Sequence, residues 1–524
     1  MRHWLGLVLV GLAFWGCKSR PMPELVIVSG SENQQLEPLL AEIGRDLGVS
    51  VRMNYQGSVD IMLGLEQGTL SEFDAVWPAQ SIWIEMGDRR HQVSNVKSIM
   101  RSPVVFALKG SVVDRLGWRD RPVRVSDILA AAEQGQVRFA MTSATQSNSG
   151  AVAYLGMLHA LAGSPQVLTA EHLQNADIQD PVRRLLKGVN RSSGSSGWLK
   201  DMMLQEYDRF DGMFNYEALV IETNQELVRR GQEPLIAIYP EDGLAVADHP
   251  LGFIDRGDAQ KKQAFLQLQE RLLNESSRAK IIQMGRRAGL GLNIDNPNTA
   301  VFNPSWGIDA TRTISTVPLP APETLRTALE LYQVALRKPS LTVYVLDFSG
   351  SMAGEGENQL KKAMGMLLDP NQAKRYLLQP SNRDVHLIVP FSSRPLDVLS
   401  AEGNEEATLR QLLHQVESRE AGGGTQIYSA TLKALELLQE REREMGDYFP
   451  AIILMTDGLS DGSLADLQSQ MNQFSFVRDV PLFSITFGEA DLTQLKELNT
   501  LFPGRVFDGS KNLADAFRKA KGYN

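Results

Sequence analysis

Five oxygen-bearing side chains stand at three separated points of the 524-residue chain. Asp347, Ser349 and Ser351 share the run Asp347-Phe-Ser-Gly-Ser351, Thr425 follows the triplet Gly422-Gly-Gly424, and Asp457 lies in Thr456-Asp-Gly458. All are hard donors. A hard divalent cation such as Mg²⁺ or Mn²⁺ takes about six oxygen ligands and keeps part of its water, which suits hydroxyls bound directly and carboxylates acting through water. Neutral direct ligands leave the ion electron-poor. It then accepts a carboxylate from outside, so such a metal would bridge this chain to a protein partner offering Glu or Asp.

The elements that must position these groups are legible around them. The apolar run Leu341–Leu346 reads as a strand feeding Asp347, the run Ala451–Met455 plus Thr456 as a strand feeding Asp457, and the glycine triplet as a turn opening a helix at Thr425. In open α/β sheets ligands bind at the carboxyl ends of strands. A polar turn whose side chains cap the next segment would account for the first loop alone. Agreement among three junctions favours the metal.

This set resembles the metal-ion-dependent adhesion site of von Willebrand factor A (VWA) domains in all five positions. The resemblance extends over residues 338–524, through a helix Asn358–Leu368, strands Val385–Phe391 and Leu482–Phe487, and a closing helix Leu513–Ala520. It implies a doubly wound, Rossmann-like domain holding Mg²⁺ or Mn²⁺, with Thr425 bound directly or through water according to state.

Ahead of this domain, strand-like and helix-like runs alternate from Glu24 in an α/β pattern. The strands expected are Leu25–Val28, Val51–Tyr55, Ala75–Trp77, Val104–Leu108, Arg138–Met141, Ala218–Glu222 and Leu235–Tyr239, with helices at Gln35–Leu47 and Ala151–Ala162. Three Ser and Gly loops precede helices: Ser29 and Ser31 in the first, Thr145, Ser147, Asn148 and Ser149 in the second, Ser195 in the third. Backbone amides at a helix start receive an anion or polar group. The same loops would equally serve as helix caps with no ligand.

Residues 24–310 resemble bacterial extracellular solute-binding proteins of the two-crossover type, including the molybdate-binding group. The matching runs are Phe73-Asp-Ala-Val-Trp-Pro78, Thr145-Gln-Ser-Asn-Ser-Gly150, Asn215-Tyr-Glu-Ala-Leu-Val-Ile221, Ile238-Tyr-Pro-Glu-Asp-Gly243 and Asp248-His-Pro-Leu251. The resemblance implies a two-lobed, periplasmic-binding-protein-like module, with lobes at 24–104 plus 246–310 and at 105–245. These would close on a small polar or anionic solute, with Tyr216, Tyr239 and Asp242 joining the three loops. A module that has lost its solute and serves as a scaffold fits the same residues.

Between the two units, residues 311–337 read as linker and helix, opening with a Thr, Ser and Pro-rich stretch that includes Val317-Pro-Leu-Pro-Ala-Pro322. Residues 1–23 begin with Arg2 and His3, followed by an apolar run Trp4–Trp15 that is shorter than the roughly 20 residues of a membrane span. This reads as an export signal. Cys17, the chain's one cysteine, follows Gly16 at the end of that run and resembles the lipobox of bacterial lipoproteins. The resemblance implies lipid on Cys17 and a membrane anchor in the cell envelope. Otherwise Cys17 belongs to a discarded signal peptide.

Net charge is −9 with scattered Lys and Arg, so nothing attracts a nucleic-acid backbone. Enzyme signatures are also missing: there is no His-Glu-x-x-His, no Gly-x-Ser-x-Gly elbow and no phosphate-loop Lys, while His386 and His414 fall in a strand-like and a helix-like run. The expected function is binding. An exported, anchored protein captures an acidic partner through its metal and holds a solute in its N-terminal cleft. The alternative is the solute receptor of an ABC-type import system with the VWA domain as docking platform.

Overall fold

A computed structural model describes residues 23–289, 291–458, 460–487, 492–510 and 513–522. Cys17 and the signal-like run lie outside the described residues. Among the described residues, no helix is long and apolar enough to cross a membrane.

Two sheets form the N-terminal module. The first runs in the order Ser50–Tyr55, Glu24–Ser29, Ala75–Trp77, Pro250–Ile254, Val93–Ser98, parallel across its first three strands and antiparallel beyond. Leu25, Val26, Ile27 and Val28 are all buried, the continuous apolar run of a strand covered on both faces. The second sheet runs Ala245–Ala247, Ser102–Lys109, Gly212–Tyr216, Phe139–Thr142, Val189–Ser193, with Leu235–Ile238 also paired to Ser102–Lys109. The chain crosses between the sheets at 98–102 and returns at 247–250, which makes two lobes joined by two crossings.

Two segments depart from the sequence reading. Ala218–Glu222, expected as a strand, lies in the helix Glu217–Arg229, directly after the strand Gly212–Tyr216. Ala218, Leu219, Val220 and Ile221 are all buried. A run buried on every side satisfies either period, so only length and neighbours decide. The end of the module also changes lobe. Ile294, Val301, Phe302, Trp306, Ile308 and Ala310 share a core with Ala237 and Tyr239, so 294–310 belongs with the second lobe rather than the first.

The helix Pro322–Leu331, continued by a wider turn at Tyr332–Leu336, packs into the second lobe instead of hanging free. Leu325, Ala328, Leu329, Tyr332 and Leu336 join a core that the second lobe shares with Val59, Met62, Leu63 and Trp83 of the first, and the Tyr154 hydroxyl donates to the Ala328 carbonyl at 3.0 Å. Arg326 reaches Glu66 of the first lobe at 2.6 Å. The helix is therefore a strap over both lobes.

The C-terminal sheet has the order Leu399–Glu402, Val385–Phe391, Ser340–Asp347, Phe449–Thr456, Leu482–Thr486, Gly504–Asp508, antiparallel only at its first strand. Separate cores cover its two faces. From Leu341 to Leu346 every side chain is buried; fully burying one Leu or Val stabilises by about 1.5–3 kcal/mol. The strand order reverses at Ser340–Asp347, the switch point at which such sheets open a crevice.

This domain docks on the lobes by the other edge of its sheet. Lys187 pairs with Asp447 at 2.8 Å and Arg209 pairs with Asp479, and these two aspartates precede the strands Phe449–Thr456 and Leu482–Thr486. Ser340 and Asp347 are the two ends of one strand, about 23 Å apart at the rise of a β residue. The Asp347 edge thus faces away from the N-terminal module.

Candidate functional site

Asp347 sits at the floor of the sheet edge with no solvent exposure. Its Oδ1 accepts the Ser349 N–H at 2.8 Å and its Oδ2 accepts the Thr456 hydroxyl at 2.6 Å. Ser349 and Ser351 bring their hydroxyl oxygens within 3.1 Å of each other. Gly350 N donates to the Gly423 carbonyl at 3.0 Å, which ties the Asp-x-Ser-x-Ser loop to the glycine turn before Thr425. There Gly423 has φ 88°, a left-handed conformation natural to glycine.

Asp461, which the sequence reading missed, fixes Thr425 by the backbone. Its Oδ2 accepts the Thr425 N–H at 2.9 Å, and its own N–H donates to the Thr425 carbonyl at 2.8 Å. Burial, opposed by the hydrogen bonds from Thr456 and Ser349 and aided by the charge of nearby Asp457, pushes the Asp347 carboxyl up to about 6. Asp457 itself is half-buried at the rim. Two carboxylates facing each other repel, and a cation between them relieves that repulsion.

Among the described residues, no group of three or more His, Cys, Asp or Glu is placed to hold a metal. The three loops carry two carboxylates and three hydroxyls, all oxygen, which is a hard-cation donor set. By their chemistry Asp347, Ser349, Ser351, Thr425 and Asp457 would suit Mg²⁺ or Mn²⁺. His386 has no part in it: it is fully buried against the Tyr344 ring, 6.1 Å between centroids, and burial holds it down at about 3.

In the N-terminal module the three Ser and Gly loops meet between the lobes. Ser31 of the first lobe lies 2.9 Å from Ser195 Oγ of the second and accepts the Gly197 N–H at 3.0 Å. Trp83 Nε1 donates to Asn148 Oδ1 at 2.7 Å across the same junction, and Asn148 in turn donates to the Tyr216 hydroxyl at 2.9 Å. Ser147 and Ser149 bond with Ser196, while Ser29 accepts from Asn33 within its own lobe. Thr145 Oγ1 turns to Gln333 of the strap helix at 3.3 Å.

Tyr239 and Asp242 are not in this cleft. The Tyr239 hydroxyl donates to Glu217, inside a buried pair with Arg287, and Asp242 Oδ1 accepts the Val125 N–H at 3.0 Å. Both serve the packing of the second lobe, because the strand Leu235–Ile238 pairs on the far side of Ser102–Lys109 from the loop strands. Missing from the sequence reading were Gly57 and Asp60. Gly57 lies in the loop Tyr55-Gln-Gly-Ser58, which also carries a strand into a helix, Asp60 lies in the first turn of that helix, and Val59 N donates to the Gln146 carbonyl at 3.1 Å.

A cavity of about 350 Å³ remains at the mouth, lined by Ser31, Gly57, Ser195 and Gly197 and roofed by Arg505 and Lys519 of the C-terminal domain. Deeper in, Glu32 and His249 are buried 3.8 Å apart. Burial raises the Glu32 carboxyl to about 7 and lowers His249 to about 3.

Residues 25–287 match the family of bacterial extracellular solute-binding proteins, and residues 343–517 match the von Willebrand factor type A domain. This chain belongs to the bacterial extracellular solute-binding proteins and carries a VWA domain. The solute-binding module is similar in fold to a sulfate-binding protein of Mycobacterium tuberculosis, at 17% identity over 58% of this chain and 96% of that one, TM-score 0.42. A periplasmic thiamin-binding protein aligns at 11% identity over 62% of this chain and 95% of its own, TM-score 0.45. Neither likeness carries an argument about the solute. The VWA region is 32% identical over 170 residues to the human inter-alpha-trypsin inhibitor heavy chain H6 (Homo sapiens), covering 30% of this chain and only 12% of that protein's length.

Proposed function

We propose that this is an exported binding protein, anchored in the cell envelope through Cys17, whose VWA metal site captures an acidic side chain of a protein partner. The observation that carries this reading is the pairing of the Ser349 and Ser351 hydroxyls 3.1 Å apart beside buried Asp347, on the sheet edge that points away from the solute-binding module. There an ion held by Asp347, Ser349, Ser351, Thr425 and Asp457 has an open side for a Glu or Asp carboxylate. The ion would supply Lewis acidity for binding, not for turnover. The solute-binding module would hold a small polar or anionic solute at the mouth between Ser31 and Ser195.

Titration calorimetry of the full chain with Mg²⁺ and Mn²⁺ tests the metal, and capture of an envelope partner in Mg²⁺ against chelator tests its use. Equal metal affinity in wild type and Asp347→Ala would falsify the assignment. The import-receptor reading rests on the same solute-binding module; recovery of a membrane permease, equally in Mg²⁺ and chelator, would favour it. The VWA roof over the cleft weighs against that reading, since an import receptor must release its solute.

A further inference from the structure

The last helix of the VWA domain, Leu513–Gly522, runs into the junction of the two lobes. Its Arg518, only 3% exposed, places Nε 2.6 Å from Asp60 Oδ1 in the first lobe and Nη2 2.7 Å from the Thr145 carbonyl in the second. Gln146 donates its side-chain amide to the Arg518 carbonyl, Ser192 Oγ reaches the Gly522 carbonyl at 3.4 Å, and Lys519 Nζ reaches the Tyr55 carbonyl at 3.5 Å. These are loops of the solute cleft. One guanidinium therefore bonds both lobes at once, at the point where Val59 and Gln146 already touch.

The chemistry of this junction is selective. A planar fork of donors serves a carboxylate and a carbonyl facing it from different sides, whereas an ammonium is a compact point charge that does not span them. An oxyanion is repelled by Asp60. We infer that the lobe junction is a guanidinium-binding site, filled in cis by Arg518, and that the C-terminal helix thereby holds the two lobes of the solute-binding module shut. This rests on the two-lobed module but not on the metal site. Its consequence is that the lobes open only when the VWA helix withdraws, and that what replaces it at Asp60 carries a guanidinium, as an arginine side chain does.

The test uses the full chain with Cys17→Ser and spin labels at Glu72→Cys and Asp120→Cys, both exposed, one on each lobe. A single narrow inter-lobe distance is expected with Arg518 present. Arg518→Ala is expected to lengthen and broaden it, and 5–20 mM methylguanidinium (a range on the order of a weak single-contact affinity) is expected to restore the narrow distance, while methylammonium and sulfate leave it broad. Asp60→Asn, which keeps the volume, is expected to open the lobes and to ignore methylguanidinium; it stands in if Arg518→Ala does not fold. An unchanged distance in either folded variant overturns the clamp, and equal rescue by methylammonium or by sulfate overturns the guanidinium site. Mg²⁺ affinity measured on the same variants is expected to stay within twofold of wild type, so failure here is separable from failure of the metal reading.

Discussion

Thr456 donates its hydroxyl to Asp347 Oδ2 at 2.6 Å, and the Thr456 hydroxyl oxygen accepts the Gly458 N–H at 3.1 Å. One side chain thus links the strand that ends in Asp347 to the loop that carries Asp457. It holds the second oxygen of a carboxylate whose first is held by the Ser349 N–H, the role partners of metal ligands commonly play.

Thr456→Val removes this bond and little volume. Mg²⁺ affinity should fall about 10-fold or more without loss of fold, in line with the effect of ligand-orienting partners. Calorimetry checks it, with circular dichroism as the folding control. An affinity equal to wild type would mean that Asp347 is oriented by Ser349 alone.

Glu217 and Arg287 form a fully buried bidentate pair at 2.7 and 2.8 Å, joined by the Tyr239 hydroxyl. Glu217→Ala leaves a buried guanidinium uncompensated and should cost about 3–5 kcal/mol in urea unfolding. Tyr239→Phe should cost only about 1 kcal/mol and leave ligand binding intact, because Tyr239 serves the second lobe and not the cleft. A solute-binding defect in folded Tyr239→Phe would contradict that placement.

Glu32 gives a pH signature. With its carboxyl at about 7 in the folded chain and 4.5 in the unfolded one, the fold holds a proton that the unfolded chain has released throughout that window. Stability from this group therefore falls as pH rises from 4.5 to 7, by about 1.4 kcal/mol per pH unit and about 3 kcal/mol in all, and is flat above. Buried His249 acts in the opposite direction: neutral in the fold down to about 3, it costs stability as pH falls below 6.5, where the unfolded chain gains the proton. Comparing Glu32→Gln with wild type isolates the first effect. The variant should gain on wild type between pH 4.5 and 7 in thermal unfolding, and a gap constant across that range would contradict it.

Cys17→Ser should move the protein from the membrane fraction to the soluble one, as expected if lipid on Cys17 is the anchor. Mass spectrometry of the native protein checks it directly. An unmodified N-terminus beyond residue 17 would sink the anchor.

Local grammar carried much of this protein into its sequence. Apolar runs such as Leu341–Leu346 and Val385–Phe391 are buried on both faces and so read as central strands, and the strand that delivers Asp347 was placed to within a residue. Ser and Gly loops before helices announced the cleft because helix starts need such residues whether or not they hold a ligand. Periodicity failed at Ala218–Glu222, where total burial erases the difference between helix and strand. Tyr239 and Asp242 failed for another reason: a residue type beside a cleft motif says nothing of which side of a strand it faces. Asp461, Thr456 and Asp60 act through partners 36, 109 and 458 residues away in sequence, and no local pattern encodes such a separation. The sequence determined the two units, the buried central strands such as Glu24–Ser29 and Ser340–Asp347, and the residue types around Asp347. Only the tertiary structure decided that the VWA domain turns that donor set outward while lodging Arg518 between the lobes, because the docking of one unit on another is fixed by the fit of whole surfaces and buried charges rather than by neighbours along the chain.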